Sequence, residues 1–170
     1  MNRIVYDTEY YAVEEHDGKE IAVIDHMPES AAVVVIHEGC LLMVRQHREA
    51  VSASTWELPG GTIRHDEDKV TAVQRELAEE TGVLCNELTY MGEAYPAASL
   101  TNRKVHFYYT DDIKRAAEPE PDDGEDVAAI WVPLREACHT IKEGGQVDQM
   151  VGHGLFLSML HGLLPTNTSR

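Results

Sequence analysis

The sequence predicts a single α/β domain preceded by a short antiparallel hairpin. Three observations carry this. Apolar runs of strand length recur between turn signals, three later stretches carry helical spacing, and two strand-like segments at the start flank an Asp17-Gly18 turn. With 170 residues the chain has the length of one domain. The predicted boundaries are a hairpin over 1–29, the main domain over 30–165 and a disordered tail over 166–170.

Taken in order, Ile4–Val13 and Glu20–Asp25 are predicted strands, joined through His16-Asp17-Gly18-Lys19. Pro28 breaks the pattern. Ala31–Ile36 and Cys40–Arg45 are continuous apolar runs around His37-Glu38-Gly39, which predicts a hairpin of strands buried on both faces. Trp56-Glu57-Leu58-Pro59-Gly60-Gly61 leads into a loop. Asp68–Thr81 is a predicted helix, with Val70, Val73 and Leu77 as its apolar stripe and Gly82 as its stop. Strands follow at Leu88–Glu93, Lys104–Thr110 and Ala128–Val132. Between the last two, Glu118–Asp126 is an acidic segment with two prolines and a glycine, predicted as a surface loop. Leu134–Glu143 and Asp148–Leu164 are predicted helices separated by Gly144-Gly145, the second contributing Met150, Leu155, Met159, Leu160 and Leu163 to the core.

Composition narrows the function. Fourteen basic against thirty acidic side chains give a formal charge of -16. Such a surface repels nucleic-acid backbones and anionic membranes, so no nucleic-acid polymer or membrane partner is expected. A small anionic substrate would need cations or a local basic patch. Three cysteines, Cys40, Cys85 and Cys138, lack any C-x-x-C pairing and fit buried, inert thiols in a reducing cytoplasm. The first fifteen residues contain no apolar stretch of signal-peptide type, and no apolar run is long enough to span a bilayer. The nine histidines form no ligand pair and are read as non-ligands.

One segment dominates the chemistry: Gly61-x5-Glu67-x7-Arg75-Glu76-Leu77-Ala78-Glu79-Glu80-Thr81-Gly82-Val83. At ~100° per residue, Glu76, Glu79 and Glu80 fall within an arc of roughly 100°. Ordinarily such an acidic face is merely solvated. Three like charges at this spacing destabilise a helix unless something compensates them. A hard divalent cation does so, because Mg²⁺ takes oxygen ligands beside substrate phosphates. Arg75 and Glu67 can pair with these groups and hold them.

The whole string resembles the Nudix box, with each of its fixed positions filled. Glu57-Leu58-Pro59-Gly60-Gly61 looks like the segment that opens the box in that family. The resemblance implies an α/β/α sandwich with a mixed sheet. It also implies that Glu76 and Glu80 are principal metal ligands and catalytic, that Glu79 supports them or shares a second Mg²⁺ (or Mn²⁺), and that the Gly60 carbonyl joins them. Gly61, Glu67, Arg75 and Gly82 would be structural.

The rest of the chain is similar to the branch that hydrolyses ADP-ribose and related nucleoside diphosphate sugars. Val44-Arg45-Gln46-His47-Arg48 ahead of Trp56-Glu57 resembles that branch, as do Tyr95-Pro96, thirteen residues past Val83, and Glu143-Gly144-Gly145-Gln146-Val147-Asp148. An N-terminal strand pair in that branch builds an intertwined homodimer. The resemblance implies a substrate site including Arg45, Arg48, Glu57 and Pro96. One of the two arginines, Arg48 by preference, would clamp the diphosphate bidentately. Tyr10 and Tyr11 could stack on a base or serve the core or dimer. Glu125 aligns with a late metal-binding Glu and Asp123 with the base, leaving Asp122 and Glu120 as alternatives. This chain departs from the branch at Gly60, at His47 and after Pro96. The competing expectations are a nucleoside triphosphate-sanitising enzyme and a non-catalytic nucleotide sensor.

Overall fold

The computed structural model describes residues 2–114 and 127–164. Along the chain lie β1 (Asn2–Asp7), β2 (Tyr11–His16), β3 (Glu20–Asp25), β4 (Glu29–His37), β5 (Cys40–Arg48), β6 (Ala53–Glu57), β7 (Gly60–Thr62), α1 (Lys69–Thr81), β8 (Leu84–Cys85), β9 (Thr89–Ala94), β10 (Lys104–Thr110), β11 (Ile113–Lys114), β12 (Val127–Pro133), α2 (Leu134–Lys142) and α3 (Gln149–Leu160). The predicted tail and the acidic segment 118–126, with Glu120, Asp122, Asp123 and Glu125, lie outside the described residues.

The N-terminal strands form a separate antiparallel sheet in the order β1-β2-β3. The predicted strand 4–13 is therefore two strands. Thr8 makes the corner: its Oγ1 accepts from the backbone N–H groups of Tyr10 and Tyr11 and donates to the Tyr11 carbonyl. The Asp17-Gly18 turn stands as predicted, with φ of 52° and 68°.

The main sheet has the central order β12-β5-β4-β10-β9, with β6 on β5 and β7 on β4. β10 runs parallel to β4 and the other pairs are antiparallel, so the sheet is mixed. Val33, Val34 and Val35 are all fully buried, which explains the continuous apolar run. Alternation sends Val33 and Val35 to the α1 layer with Leu42, Val73 and Leu77. It sends Val34 and Ile36 to the opposite layer with Phe107, Leu134 and Val151. The result is the α/β/α sandwich. α3 can approach closely because Gly154 has no side chain; a Cβ there would stand 2.8 Å from Leu58 Cδ1 and 2.9 Å from Val34 Cγ2.

Several expectations need correction. Val70 is 39% exposed, and Ala72 replaces it in the buried stripe. Trp56-Glu57 belongs to a strand, and the break comes only at Leu58-Pro59. In α3 Leu155 is buried, but Met159 and Leu160 are exposed. Cys85 is buried, Cys40 half-buried and Cys138 exposed, so the thiols are not uniformly inside. Among the described residues no helix is long and apolar enough to cross a membrane.

Candidate active site

Two central strands part company to make the site. β4 and β5 pair only at Ile36↔Leu41 and His37↔Cys40. Beyond that tip they diverge: β7 takes Ser30–Ala32 of β4, while β6 takes Val44–Arg48 of β5. The space between the two limbs opens as a cleft of about 580 Å³. A volume of that size suits a small-molecule ligand.

α1 brings the box carboxylates to this cleft. Its start is fixed by Asp68, whose carboxylate accepts from the N–H groups of Val70 and Thr71, and its end by Gly82 in the left-handed region at φ 70°. Glu76 and Glu80 line the cleft. Glu80 is 6% exposed, and its Oε2 accepts from the backbone N–H of Gly60 at 2.9 Å. Gly60 is required sterically, and Gly61 leaves room for the Glu76 carboxylate where it stands. A Cβ on Gly60 would strike the Ala31 carbonyl, and one on Gly61 would fall onto the Glu76 carboxylate.

Arg75 organises the acids. Its Nε donates to Glu67 Oε1 at 2.8 Å and its Nη2 to Glu67 Oε2 at 3.0 Å. Nη1 reaches Glu76 Oε1 and Glu79 Oε2, both at 2.9 Å, and Nη2 also donates to the Thr62 carbonyl at 3.2 Å. Hydrogen bonding to Arg75 holds the Glu67 carboxyl down at about 2, and the same bond holds the guanidinium above its ordinary value. Glu67 and Arg75 thus form a paired unit that holds Glu76 and Glu79 by hydrogen bonds and ion pairs.

The expected metal ligands are only partly assembled. Among the described residues no three side chains of metal-ligating type converge on one point. Glu76 and Glu80 line the cleft and Glu79 does not, while Arg75 holds both Glu76 and Glu79 at 2.9 Å. The donor set nevertheless fits a hard divalent cation: it is all carboxylate oxygen, beside Gly61, which leaves the Glu76 carboxylate its room.

On the opposite limb Glu57 is 5% exposed and carries a fork from Arg48: Nε to Oε1 at 2.7 Å and Nη2 to Oε2 at 2.6 Å. Thr55 Oγ1 also donates to Oε1 at 2.6 Å. The bidentate grip expected of Arg48 on substrate is thus made to Glu57, although both residues line the cleft. Hydrogen bonding to Glu57 keeps the Arg48 guanidinium above its ordinary value. Pro96 lines the cleft as expected. Arg45 is not among its lining residues; its guanidinium stands 5.9 Å from the Trp56 ring centroid.

Three charged cleft residues escaped the sequence reading: Arg64, Asp148 and Arg103. Asp148 arrives because the 146–148 segment pairs with β6: Trp56 N–H donates to Gln146 O, and Asp148 N–H to Trp56 O. Burial, followed by the charge of Glu57, raises its carboxyl pKa. Arg103 comes from the loop before β10. Its one sequence signal is the scarcity of positive charge, the argument applied to Arg45 and Arg48.

Comparison with known proteins agrees with this geometry. The NUDIX domain family model matches residues 27–150. A CMP-5'-(N-acetyl-N-hydroxy-3-aminopropyl)phosphonate hydrolase of Streptomyces rubellomurinus is 29% identical over 162 residues, 90% of this chain and 77% of that protein. An ADP-ribose pyrophosphatase of Bacillus subtilis is 26% identical over 134 residues, 78% of this chain and 72% of that protein. The crystal structure of an ADP compounds hydrolase superposes with a TM-score of 0.77 at 20% identity, covering 94% of this chain and 90% of the other, so the fold is shared. With the family model spanning most of its length and Glu76 and Glu80 brought to one cleft, the chain belongs to the NUDIX family and is a Nudix hydrolase.

Proposed function

We propose that the protein hydrolyses the diphosphate linkage of ADP-ribose or a related nucleoside diphosphate sugar, giving a nucleoside monophosphate and a sugar phosphate. The observation that carries this is a single cleft in which Glu76 and Glu80 lie together with Arg48 and Arg103. That arrangement places anion-binding groups on both sides of a carboxylate pair. Likeness to a protein named ADP-ribose pyrophosphatase supports the substrate class. A second reading has a specific support as well. The Streptomyces relative is named for a CMP-linked phosphonate, which shares a nucleoside monophosphate as one half of the molecule.

Glu76 and Glu80 would hold Mg²⁺ or Mn²⁺, with Glu79 in support and the Gly60 carbonyl beside them. When bound, such an ion neutralises diphosphate charge and acidifies an attacking water. The Gly60 N–H fixes the Glu80 carboxylate in advance, and Arg75 holds Glu76 and Glu79 apart from collapse into solvent. In the hydrolysis, water oxygen bonds to phosphorus, the bridging P–O bond breaks, and the water proton passes to a carboxylate base. We assign that base to the acidic segment, to Asp123 or Glu125, with Asp122 and Glu120 as alternatives.

The N-terminal sheet would make a homodimer. It exposes Ile4, Val5, Tyr6, Tyr10 and Ile21, each at 46% or more, a concentration of apolar surface that a partner copy would cover. Removing residues 1–28 is expected to yield monomers and weaken substrate affinity. An unchanged dimer in light scattering would remove this part of the proposal. Reduced cysteines fit the cytoplasm as its compartment.

Product identification tests the substrate. The protein is incubated with Mg²⁺ and ADP-ribose, a CMP-linked phosphonate or a deoxynucleoside triphosphate. AMP and ribose 5-phosphate from ADP-ribose support the proposal. Release of CMP alone transfers it to the second reading. Cleavage of the triphosphate alone contradicts both.

A further inference from the structure

The N-terminal sheet does more than present an apolar face: it grips the loop that carries Arg103. The Asn102 side chain accepts from the Asp25 N–H at 2.8 Å and donates to the Asp25 carbonyl at 3.1 Å. The Val23 N–H donates to the Leu100 carbonyl at 2.7 Å, and Val23 and Thr101 form a parallel bridge. Arg103 Nη2 then meets Asp25 Oδ2 at 2.9 Å. These contacts from β3 together fix the three residues 101–103 and the carbonyl before them.

We propose that Arg103 binds a phosphoryl oxygen of the substrate from the β10 side of the cleft, and that Asp25 is its positioning residue. This rests on the nucleotide-diphosphate reading given above. Three observations lead to it. Arg103 lines the same cleft as Glu76 and Glu80. It enters from the loop before β10, across β4 from the limb that carries Arg48, so the two arginines approach from opposite sides. Finally, the two guanidinium groups are used differently. Arg48 engages Glu57 through both Nε and Nη2, whereas Arg103 engages Asp25 through Nη2 among the described residues. A guanidinium carries five N–H donors in a planar fork, so one carboxylate contact at a single nitrogen orients Arg103 without consuming its fork. The Arg103 side chain is 45% exposed and that of Asp25 is 20% exposed. Asp25 is the better-shielded anchor, and Arg103 is the arm that reaches into the opening.

The anion it fits is a phosphoryl group of a diphosphate, the linkage that must lie beside Glu76 and Glu80. A basic arm on this side also explains how a chain of net charge -16 admits an anionic ligand past Glu57 and Asp148.

The test uses the full chain and the variants Arg103→Ala, Arg103→Lys and Asp25→Asn. Steady-state kinetics on ADP-ribose are measured with Mg²⁺, alongside calorimetric binding of ADP and adenosine. The expected results are a KM raised about tenfold in Arg103→Ala, with kcat reduced by less than about threefold. ADP binding should weaken in parallel and adenosine binding should not. Arg103→Lys should recover part of the loss, and Asp25→Asn should raise KM by a smaller factor. Thermal midpoints within about 2 °C of wild type would separate this from unfolding. Should ADP-ribose be cleaved by Arg103→Ala with unchanged KM, the role of Arg103 is overturned while the substrate reading stands. Should wild type cleave no ADP-ribose but bind ADP more tightly than Arg103→Ala does, the substrate reading fails and Arg103 stands. Wild type that binds no ADP overturns both.

Discussion

Two polar clusters lie along α1, and their charge balances differ. At the first residue of the helix, Lys69 Nζ donates to His106 Nε2 at 3.0 Å and meets Glu29 at 3.3 Å. On the other side of the ring, Glu93 stands 3.5 Å from Nδ1 and is also paired with Lys104 at 3.1 Å. An ammonium group can only donate, so Nε2 must accept and the ring proton sits on Nδ1, facing Glu93. Two carboxylates, two ammonium groups and a neutral imidazole balance to zero. Around Arg75 the balance differs: Glu67, Glu76 and Glu79 share its guanidinium, Arg64 stands 4.0 Å from Glu79, and Glu80 beside them accepts from the Gly60 N–H. Here the carboxylates outnumber the guanidinium groups. Acidity alone does not mark a site in a chain that is acidic throughout. What marks it is an excess of carboxylate, held in place by hydrogen bonds, at the edge of a cleft.

The largest effect expected from breaking this contrast comes from Glu80→Gln. The amide oxygen can still accept from the Gly60 N–H, so the fold should persist. Losing a charged metal ligand removes several kcal/mol of transition-state stabilisation, so kcat should fall about a thousandfold. Activity within tenfold of wild type would show that Glu80 is not a ligand. Next in size is the response to Mg²⁺. At one hundred times its dissociation constant, a cation bound only by the folded state adds about 2.7 kcal/mol. A differential scan should show a rise of roughly 5–10 °C for wild type and little for Glu80→Gln. Smaller again is His106→Leu in the balanced cluster. It removes hydrogen-bond partners from Lys69 and Glu93 and should cost about 1–3 kcal/mol in denaturant titration, with Mg²⁺-dependent turnover retained. A variant as stable as wild type would show the cluster to be dispensable.

The pH response should be the gentlest contrast. Burial lowers the His106 pKa below its ordinary 6.5, so the unfolded chain takes up that proton first. Its contribution is complete above about pH 6.5 and is lost as pH falls through the depressed folded value. Glu67 acts in a lower window. Arg75 holds its pKa at about 2 against an ordinary 4.5, so its contribution is complete above 4.5 and disappears between there and 2. Acid unfolding of His106→Leu should therefore lack the upper step and keep the lower one.

The balanced cluster was invisible in the sequence, whereas the unbalanced one was plain. Glu76, Glu79 and Glu80 share a helical face by spacing alone, Gly60 and Gly61 mark close approaches in β7, and Gly82 marks the left-handed stop of α1. The core strands were equally legible, because burial on both faces writes continuous apolar runs such as Val33–Val35. By contrast, Glu29, Lys69, Glu93 and His106 come from four elements, and the pairing of β10 with both β4 and β9 brings its strand members together. The same applies to Arg103 and Asp25, separated by 78 residues and joined by the docking of the N-terminal sheet. Arg48 lines the cleft, but its commitment to Glu57 depends on the cross-strand register of β5 with β6, which local sequence does not announce. The Thr8 corner failed for a local reason. The β-forming Ile, Val and Tyr residues on either side of Thr8 mask a side-chain turn that no glycine or proline announces.

Counting bound Mn²⁺ by electron paramagnetic resonance tests the central claim most directly. Wild type and His106→Leu should each show at least one saturable Mn²⁺ site, displaced by Mg²⁺, and Glu80→Gln should lose it. Equal Mn²⁺ binding in Glu80→Gln and wild type would contradict the assignment of the unbalanced cluster as the metal centre.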